Sequence, residues 1–153
     1  MAIEIPPAGT RGTRPPPKGP LGRGVMGMAR VVHRLTGNKM SGQPLMHLHT
    51  VGAKSGQARI SVVMAFEDGP DSWLIVASRG GTADHPAWFY NLAANPDRVE
   101  VEVGGRKTAV SAQTLTGEQR TAAWERITTA QPRFNGYQEK TDRQIPVVRL
   151  NAR

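Results

Sequence analysis

The chain has 153 residues, of which 38% are hydrophobic, and a formal net charge of +8. This length fits one domain, which is large enough to bury a hydrophobic core without stabilising cross-links. The absence of cysteine excludes disulfides, thiolate metal sites and cysteine nucleophiles. No run approaches the roughly 20 apolar residues of a membrane span, and prolines stand where a secretory signal needs an apolar stretch. We therefore expect a cytoplasmic protein.

The positive charge is concentrated near the N-terminus. Residues 1–40 carry seven Lys/Arg and one Glu, whereas residues 41–153 carry thirteen Lys/Arg and eleven Asp/Glu. Because the positive and negative charges of residues 41–153 nearly balance, a nucleic-acid surface across the domain is not expected. Two Tyr and three Phe are also too few for a row of aromatic side chains that stacks on bases. The basic segment suits an anionic membrane surface or a small polyanionic ligand.

The first 38 residues divide into two predicted segments. Residues 1–20 hold six of the twelve prolines, which predicts a disordered or extended tail. Residues 21–38 place apolar and arginine side chains on opposite faces, which predicts an amphipathic helix. Such a helix suits contact with a membrane or packing on its own domain, and the sequence leaves both open. Residues 39–153 form the predicted folded domain.

The first half of this domain is predicted to hold three strands and a helix. Pro44–His49 and Arg59–Phe66 are strands on either side of the loop TVGAKSGQAR. WLIVAS is a short buried strand, and the glycine loop RGGTADH follows it. PAWFYNLAANP predicts a helix that has Pro86 in its first turn.

The second half is predicted to hold a hairpin, a helix and a closing strand. RVEVEV and KTAVSAQTL are strands that turn at Gly104-Gly105. Thr116 and Gln119 predict a capping box at the start of a helix that ends near Thr129, and IPVVRL is the last strand. Strands joined by short turns, with two inserted helices, favour a β-barrel with helical additions.

The loop after the first strand carries two cationic side chains among glycines that leave the backbone conformationally free. Lys54 offers a point charge, and Arg59 offers a planar fork for carboxylate or phosphate. Gly52 and Gly56 let the backbone approach an anion closely. A P-loop is excluded, because Ala53 precedes the lysine and a strand follows the loop. The loop fits either an anion site or a solvated hairpin tip.

The second glycine loop and the helix after it add to this pattern. ASRGG, residues 77–81, brings Arg79 between permissive residues. Trp88 and Asn91 share a helix face, which suits a wall for a planar heterocycle, although Trp88 by itself also fits the core. The four histidines lack a strong metal spacing, so no metal site is predicted. Without a hydrolase motif such as GxSxG or HExxH, a cofactor is expected to carry any chemistry.

Four motifs together carry a family resemblance. GAKSGQAR, VASRGG, PAWFYNLAANP and TDRQIPVVRL occur in this order. From about residue 44 to 150 the chain resembles the deazaflavin (coenzyme F420)-dependent nitroreductases, the A branch of the flavin/deazaflavin split β-barrel oxidoreductases. The resemblance implies an FMN-binding-like split β-barrel, mainly β with helices (α+β), that holds F420 in a groove.

The resemblance also implies a reaction. An F420H2-dependent reductase of this kind transfers a hydride from the reduced deazaflavin to a quinone, an activated enone or a nitroaromatic acceptor. F420 carries a phosphodiester and several glutamyl carboxylates, for which the cations of the two loops are the expected counterpart. The alternatives are an FMN-binding relative and a non-enzymatic barrel that binds a lipid or another ligand.

The resemblance assigns cofactor-binding roles by position. The Lys and Arg of the first loop bind the anionic tail, the strand after it lines the groove, and the ASRGG loop lies by the ring and the phosphate. The implied cofactor-binding residues are Lys54, Ser55, Gln57, Arg59, Ser61, Val62, Met64, Ala77, Ser78, Arg79, Gly80, Ala87, Trp88 and Asn91.

The resemblance places the acceptor pocket just before the TDR motif. Phe134 and Tyr137 match aromatic positions there and are the implied substrate contacts, and the hydroxyl of Tyr137 makes it the candidate proton donor. Gln131 and Lys140 stand where the best-known members have aromatic residues, so the acceptor, nitroimidazoles included, stays open. In parts of the family the N-terminal segment contacts the membrane or forms a lid, which suits peripheral placement on the inner membrane face; an oligomer is also compatible.

Overall fold

The structure is a computed structural model, in which residues 3–14, 39–40 and 43–153 are described. The strands of these residues form one antiparallel sheet in the order β1-β2-β6-β7-β8-β5-β4, with β3 paired to β2. The strands are β1 (Lys39–Met40), β2 (Gln43–Val51), β3 (Ala58–Met64), β4 (Phe66–Glu67), β5 (Ser72–Val76), β6 (Glu100–Val103), β7 (Arg106–Thr114) and β8 (Val147–Ala152).

Three α-helices accompany the sheet in the described part of the chain: α1 (Ala87–Ala94), α2 (Gly117–Ala130) and α3 (Arg133–Lys140). A single 3-10 turn, Arg79–Gly81, lies between β5 and α1. The helix predicted over 21–38 falls outside the described residues. Within those that are described, no helix combines the length and the apolar character needed to cross a bilayer.

The sheet is rolled so that its two ends meet. Ala65 alone separates β3 from β4, and β4 pairs with β5, so one stretch of chain joins the β2 end of the sheet to the β5 end. β3 and β5 also contact each other without pairing as strands. This incomplete closure, with helices on the sheet, confirms the predicted α+β split barrel.

Two hydrophobic clusters fill the two faces of the rolled sheet. The inner cluster packs α1 against β2, β7 and β8, and the outer cluster packs α2 and α3 against β5. Successive strand residues face opposite sides, so Leu74 belongs to the outer cluster and Ile75 to the inner one. Burial on both faces explains why WLIVAS is apolar almost throughout.

Two local predictions for α2 and α3 are wrong. Thr116 is at the N-cap of α2, but its side chain makes no capping hydrogen bond, so the capping box does not form. Gly117 follows with a φ of 57°, which is not helical and changes the direction in which the chain enters the helix. The sequence also misses α3, because Asn135-Gly136 has low helix propensity; burial of Phe134 in the outer cluster stabilises the helix instead.

Residues 3–14, here called the N-terminal strap, run along the domain in an extended conformation. Gly9 N donates to Ala83 O at 2.8 Å, and Thr13 N donates to Gly81 O at 2.9 Å. The Asp142 carboxylate accepts from the hydroxyl and amide of Thr10 and from the amide of Arg11. The Thr10 hydroxyl, followed by these amides, lowers the pKa of Asp142 to about 2. Of the predicted disordered or extended tail over residues 1–20, the described residues 3–14 are extended and are held by distant backbone groups.

Asp68 joins three parts of the barrel. Its carboxylate accepts from Arg126 of α2 at 2.7 Å and from Arg149 of β8 at 2.6 Å, and Arg126 also donates to Glu67 O of β4. Burial by itself raises the pKa of Asp68, but the hydrogen bonds and charges of the two arginines outweigh it and hold the pKa below the usual 3.8. The ionised carboxylate therefore stabilises the folded state.

We expect Asp68→Asn to lower the free energy of unfolding by about 1–3 kcal/mol at pH 7, because it removes charge-assisted hydrogen bonds from Arg149. Since folding lowers the pKa, this contribution is full at neutral pH and is lost as the pH falls below about 3.8. Urea unfolding at pH 7 and at pH 3 measures both effects. The control is Asp97→Asn, an exposed carboxylate outside the ion pairs of the described residues; equal stability of both variants at pH 7 would contradict the assignment.

Candidate functional site

The loop between β2 and β3, residues 52–57, is here called the first loop. Gly52 N donates to Gln57 O at 2.8 Å, and Gly56 N donates to Gly52 O at 2.9 Å. The Ser55 hydroxyl accepts from Gln57 N at 3.2 Å. Ser55 and Gln57, predicted to bind the cofactor, thus fix the shape of the loop, while the Lys54 side chain is exposed at its tip.

Helix α1 holds the first loop through a side-chain hydrogen bond. Asn91 is 9% exposed; its side-chain oxygen accepts from Ala53 N at 2.9 Å, and its amide group contacts the Thr50 hydroxyl at 3.4 Å. Trp88 packs within the inner cluster, whereas Ala87 is exposed. Of the three residues of α1 predicted to bind the cofactor, Asn91 therefore positions the loop and Trp88 fills the core.

The strand register divides the predicted residues of β3 between two faces. Ser61 lies opposite Leu48 and Arg59 opposite Thr50, so both share the inner face of the sheet. Val62 and Met64 lie on the outer face with Ile60, a residue that sequence reasoning missed although it continues their alternation. Ile60 is 63% exposed and Val62 is 50% exposed. We call Ile60, Val62 and Met64 the β3 strip; it leads from the first loop to the outer cluster, where Met64 packs.

The loop after β5, residues 77–82, is here called the second loop. Ser78 has right-handed helical dihedral angles, and Arg79 follows with a φ of 44°. This right-then-left sequence turns successive N–H groups toward one concave site, the arrangement known as an anion-binding nest. Gly81, with a φ of 82°, has to be glycine, because a Cβ there would lie 2.5 Å from the Tyr137 carbonyl oxygen.

A buried arginine lies behind the second loop. Arg143 is 3% exposed and donates to the carbonyls of Ala77 at 3.1 Å, Ser78 at 2.7 Å and Thr82 at 2.7 Å. It also contacts Nδ1 of His85 at 3.1 Å. Burial lowers the pKa of Arg143 from its usual value, but a guanidinium in a protein stays protonated. The loop therefore rests on a positive charge.

His85 is neutral in this network. Arginine only donates, so Nδ1 of His85 accepts from Arg143, and Nε2 carries the proton and donates to Pro6 O at 2.7 Å. Burial, together with the nearby Arg143 charge, lowers the pKa of His85. His85 thereby joins the N-terminal strap to the arginine behind the second loop.

The predicted acceptor residues lie beside the second loop, on α3. Phe134 is buried, and the partly buried Tyr137 ring meets it edge-on at a centroid distance of 5.5 Å. Lys140 Nζ lies 5.8 Å from the Tyr137 ring centroid. Tyr137 and Met64 both pack against the outer cluster, so the fold brings the end of the β3 strip and the acceptor residues to one cluster. Gln131 is buried at the end of α2.

The exposed cations of the candidate site have no carboxylate from the described part of the chain close to them. Among the described residues, no carboxylate lies within 4.0 Å of the exposed cations Lys54, Arg59 and Arg79. A site with these unpaired cations and an exposed apolar strip is suited to a ligand that combines a flat apolar ring with an anionic tail. No group of three or more metal-ligating side chains occurs within the described ranges.

Sequence reasoning missed the support of the second loop. Arg143 stands in the TDR motif, but an arginine beside a strand is exposed by default, and His85 reads as an ordinary loop histidine. Thr13 lies in a segment whose composition predicts disorder. The signal that was available is the motif itself, in which an arginine stands two residues before the buried run that starts at Ile145.

Comparison with known proteins identifies the family. The family model described as F420H(2)-dependent quinone reductase matches residues 22–152. The chain is 40% identical over 127 residues to the F420H(2)-dependent quinone reductase Rv1261c of Mycobacterium tuberculosis (strain ATCC 25618 / H37Rv), a match that covers 81% of each chain.

Solved structures agree with this relationship. A structure titled F420-H2 dependent reductase (FDR-A) superposes with a TM-score of 0.63 at 38% identity and covers 71% of this chain and 94% of that one. A second structure, described as a domain-swapped dimer, has a TM-score of 0.64 at 32% identity and covers 84% and 99%. These findings confirm the resemblance to F420-dependent reductases over the FMN-binding and non-enzymatic alternatives. The chain belongs to the F420H(2)-dependent quinone reductase family and is an F420-dependent oxidoreductase.

Proposed function

We propose that this chain transfers a hydride from F420H2 to a quinone, and that the cofactor lies along the β3 strip between the first and second loops. The observation that carries the proposal is the absence of any carboxylate within 4.0 Å of Lys54, Arg59 or Arg79 in the described part of the chain. Three cations without carboxylate partners among the described residues, together with the exposed apolar side chains of Ile60 and Val62, favour a long polyanionic cofactor with an apolar ring.

The residues present fit F420 as a whole. Its phosphodiester suits the nest at Ser78 and Arg79, and its glutamyl carboxylates suit Lys54 and Arg59. The deazaflavin ring suits the apolar β3 strip. FMN, which lacks the glutamyl tail, would leave Lys54 and Arg59 without a counterpart.

When bound, reduced F420 supplies the hydride for the reaction. The part of this chain is to hold the ring and the acceptor in contact and to keep water out. Met64 and Tyr137, both against the outer cluster, are placed to form apolar walls. Tyr137 also has a hydroxyl that is suited to donate a hydrogen bond or a proton to a quinone oxygen.

The choice of a quinone over an enone or a nitroaromatic rests on the relatives, since the curated relative with 40% identity is named a quinone reductase. Lys140 Nζ, 5.8 Å from the Tyr137 ring centroid, puts a positive charge near the proposed acceptor side. It would favour the negative charge that the oxygen of any of these acceptors gains on hydride transfer.

Association with a second copy and with a membrane are further parts of the proposal. The domain-swapped dimer formed by a 32% identical protein supports an oligomer. Peripheral membrane contact through residues 1–38 stays a prediction, since residues 15–38 lie outside the described ranges.

We expect the double variant Lys54→Ala/Arg59→Ala to bind F420 at least 30-fold more weakly, because it removes two charge-assisted contacts to the tail. Fluorescence titration of F420 against the full chain measures the dissociation constant. The loss should shrink at high salt, where the wild-type contacts are screened.

The matched control is Arg106→Ala/Lys107→Ala, which removes the same charge from the first two residues of β7. This control should keep wild-type affinity. Equal weakening by both double variants would assign the effect to net charge, and tighter binding of FMN than of F420 would contradict the proposed site.

We expect Tyr137→Phe to lower kcat for a soluble naphthoquinone by about tenfold or more, with unchanged F420 affinity, because it removes the hydroxyl and keeps the ring. Tyr90→Phe, at the only other tyrosine, is the control. Steady-state assays with the quinone, a cyclic enone and a nitroaromatic also rank the acceptors. A wild-type kcat in Tyr137→Phe would make this residue a pocket wall only.

A further inference from the structure

Every carbonyl of the second loop has a hydrogen-bond donor within the protein. Arg143 donates to the carbonyls of residues 77, 78 and 82. The N-terminal strap supplies Thr13, whose hydroxyl donates to Gly80 O at 2.8 Å and whose amide donates to Gly81 O at 2.9 Å. Thr82 N donates to the remaining carbonyl, that of Arg79, at 3.3 Å.

The amides of the same loop are divided into two groups. Gly81 N donates to Ser78 O at 2.9 Å, and Thr82 N is bonded as above. The amides of Ser78, Arg79 and Gly80, in contrast, have no acceptor among the described residues. These three consecutive amides include the nest. The loop thus keeps all its acceptors occupied and leaves successive donors for an anion.

Arg143 fixes the direction of two of these donors. In a planar trans peptide, the C=O and the N–H point in opposite directions. The peptide that links Ala77 to Ser78 turns its oxygen toward Arg143, and the next peptide does the same with Ser78 O. The amides of Ser78 and Arg79 must therefore point away from the guanidinium, toward the nest.

The charge of Arg143 acts in the same direction. No carboxylate of the described residues forms an ion pair with it, and its partners are carbonyls and the neutral His85. The Asp84 carboxylate acts on Arg143 only from beyond ion-pair distance. A positive charge without a direct counter-ion behind a row of amides raises the potential at the nest. The support thus both orients the donors and favours an anion electrostatically.

We propose that Arg143 and Thr13 are positioning residues for the phosphate of the cofactor: Arg143 turns the amides of Ser78 and Arg79 toward the ligand, and Thr13 holds the carbonyls of Gly80 and Gly81 on the opposite edge of the same loop. This proposal rests on the proposed function. It also gives the N-terminal strap a role in cofactor binding. Gly12 permits this role, since its backbone lies in close contact with Ala83, where a Cβ would collide.

The test compares two ligands on the full-length chain by fluorescence titration. One ligand is F420; the other is a deazaflavin that carries the ribityl chain but no phosphate. The variants are Arg143→Lys, which keeps the charge but not the fork geometry, and Thr13→Val, which removes only the hydroxyl donor of an exposed residue. The control is Thr129→Val, where an exposed threonine hydroxyl also donates to a backbone carbonyl, at 2.7 Å, on α2.

We expect the dissociation constant of F420 to rise about tenfold in Arg143→Lys and about threefold in Thr13→Val. Affinity for the phosphate-free deazaflavin should stay within about twofold of wild type, a selectivity that general unfolding would not produce. Thr129→Val should bind both ligands as wild type does. If Arg143→Lys does not fold, Thr13→Val decides the test alone.

Wild-type F420 affinity in either variant would overturn the role of that residue. Equal losses for both ligands would overturn the proposal as a whole, because they would indicate a distorted barrel. The proposed function fails separately: it is refuted if wild-type protein does not bind F420, or if Lys54→Ala/Arg59→Ala binds it fully.

Discussion

The structure around the site depends on one buried guanidinium that has no carboxylate partner among the described residues. A charge in a protein interior has to be hydrogen-bonded, and Arg143 meets this need by drawing in the backbone of residues 77–82 and the imidazole of His85. The position of the second loop follows from this requirement. The N-terminal strap then binds the opposite edge of the same loop and also holds His85.

The barrel was predictable from the sequence to a large extent, because its signals are local. Alternating and β-branched residues predict β3 and β6, the two glycines at 104 and 105 have the positive φ that a tight hairpin needs, and WLIVAS shows burial on both faces. The missed helix has a tertiary cause, because α3 is stabilised by packing of Phe134 rather than by helix propensity. The contacts of the strap were not predictable either, since they join residues about 70 to 130 positions apart.

The candidate site was predictable only in its exposed part. Lys54 and Arg79 are on glycine-containing loops and Arg59 follows closely after one, so sequence alone marks these charged residues as ligand-binding candidates. The sequence could not show where a side chain points: the Asn91 amide faces the first loop, and the Trp88 ring faces the core. Burial of Arg143 was equally hidden, since neighbours in space, and not in sequence, supply its acceptors.

The left-handed backbone of Arg79 has a practical consequence for engineering. A φ of 44° costs a non-glycine residue about 1 kcal/mol or more, and glycine or asparagine would adopt it more easily. Directed evolution that selects for heat resistance alone would thus favour replacement of this arginine and discard a cation of the site. If Arg79 binds the cofactor as proposed, stability and cofactor affinity compete at this single position, so a library randomised there has to be screened for both properties together.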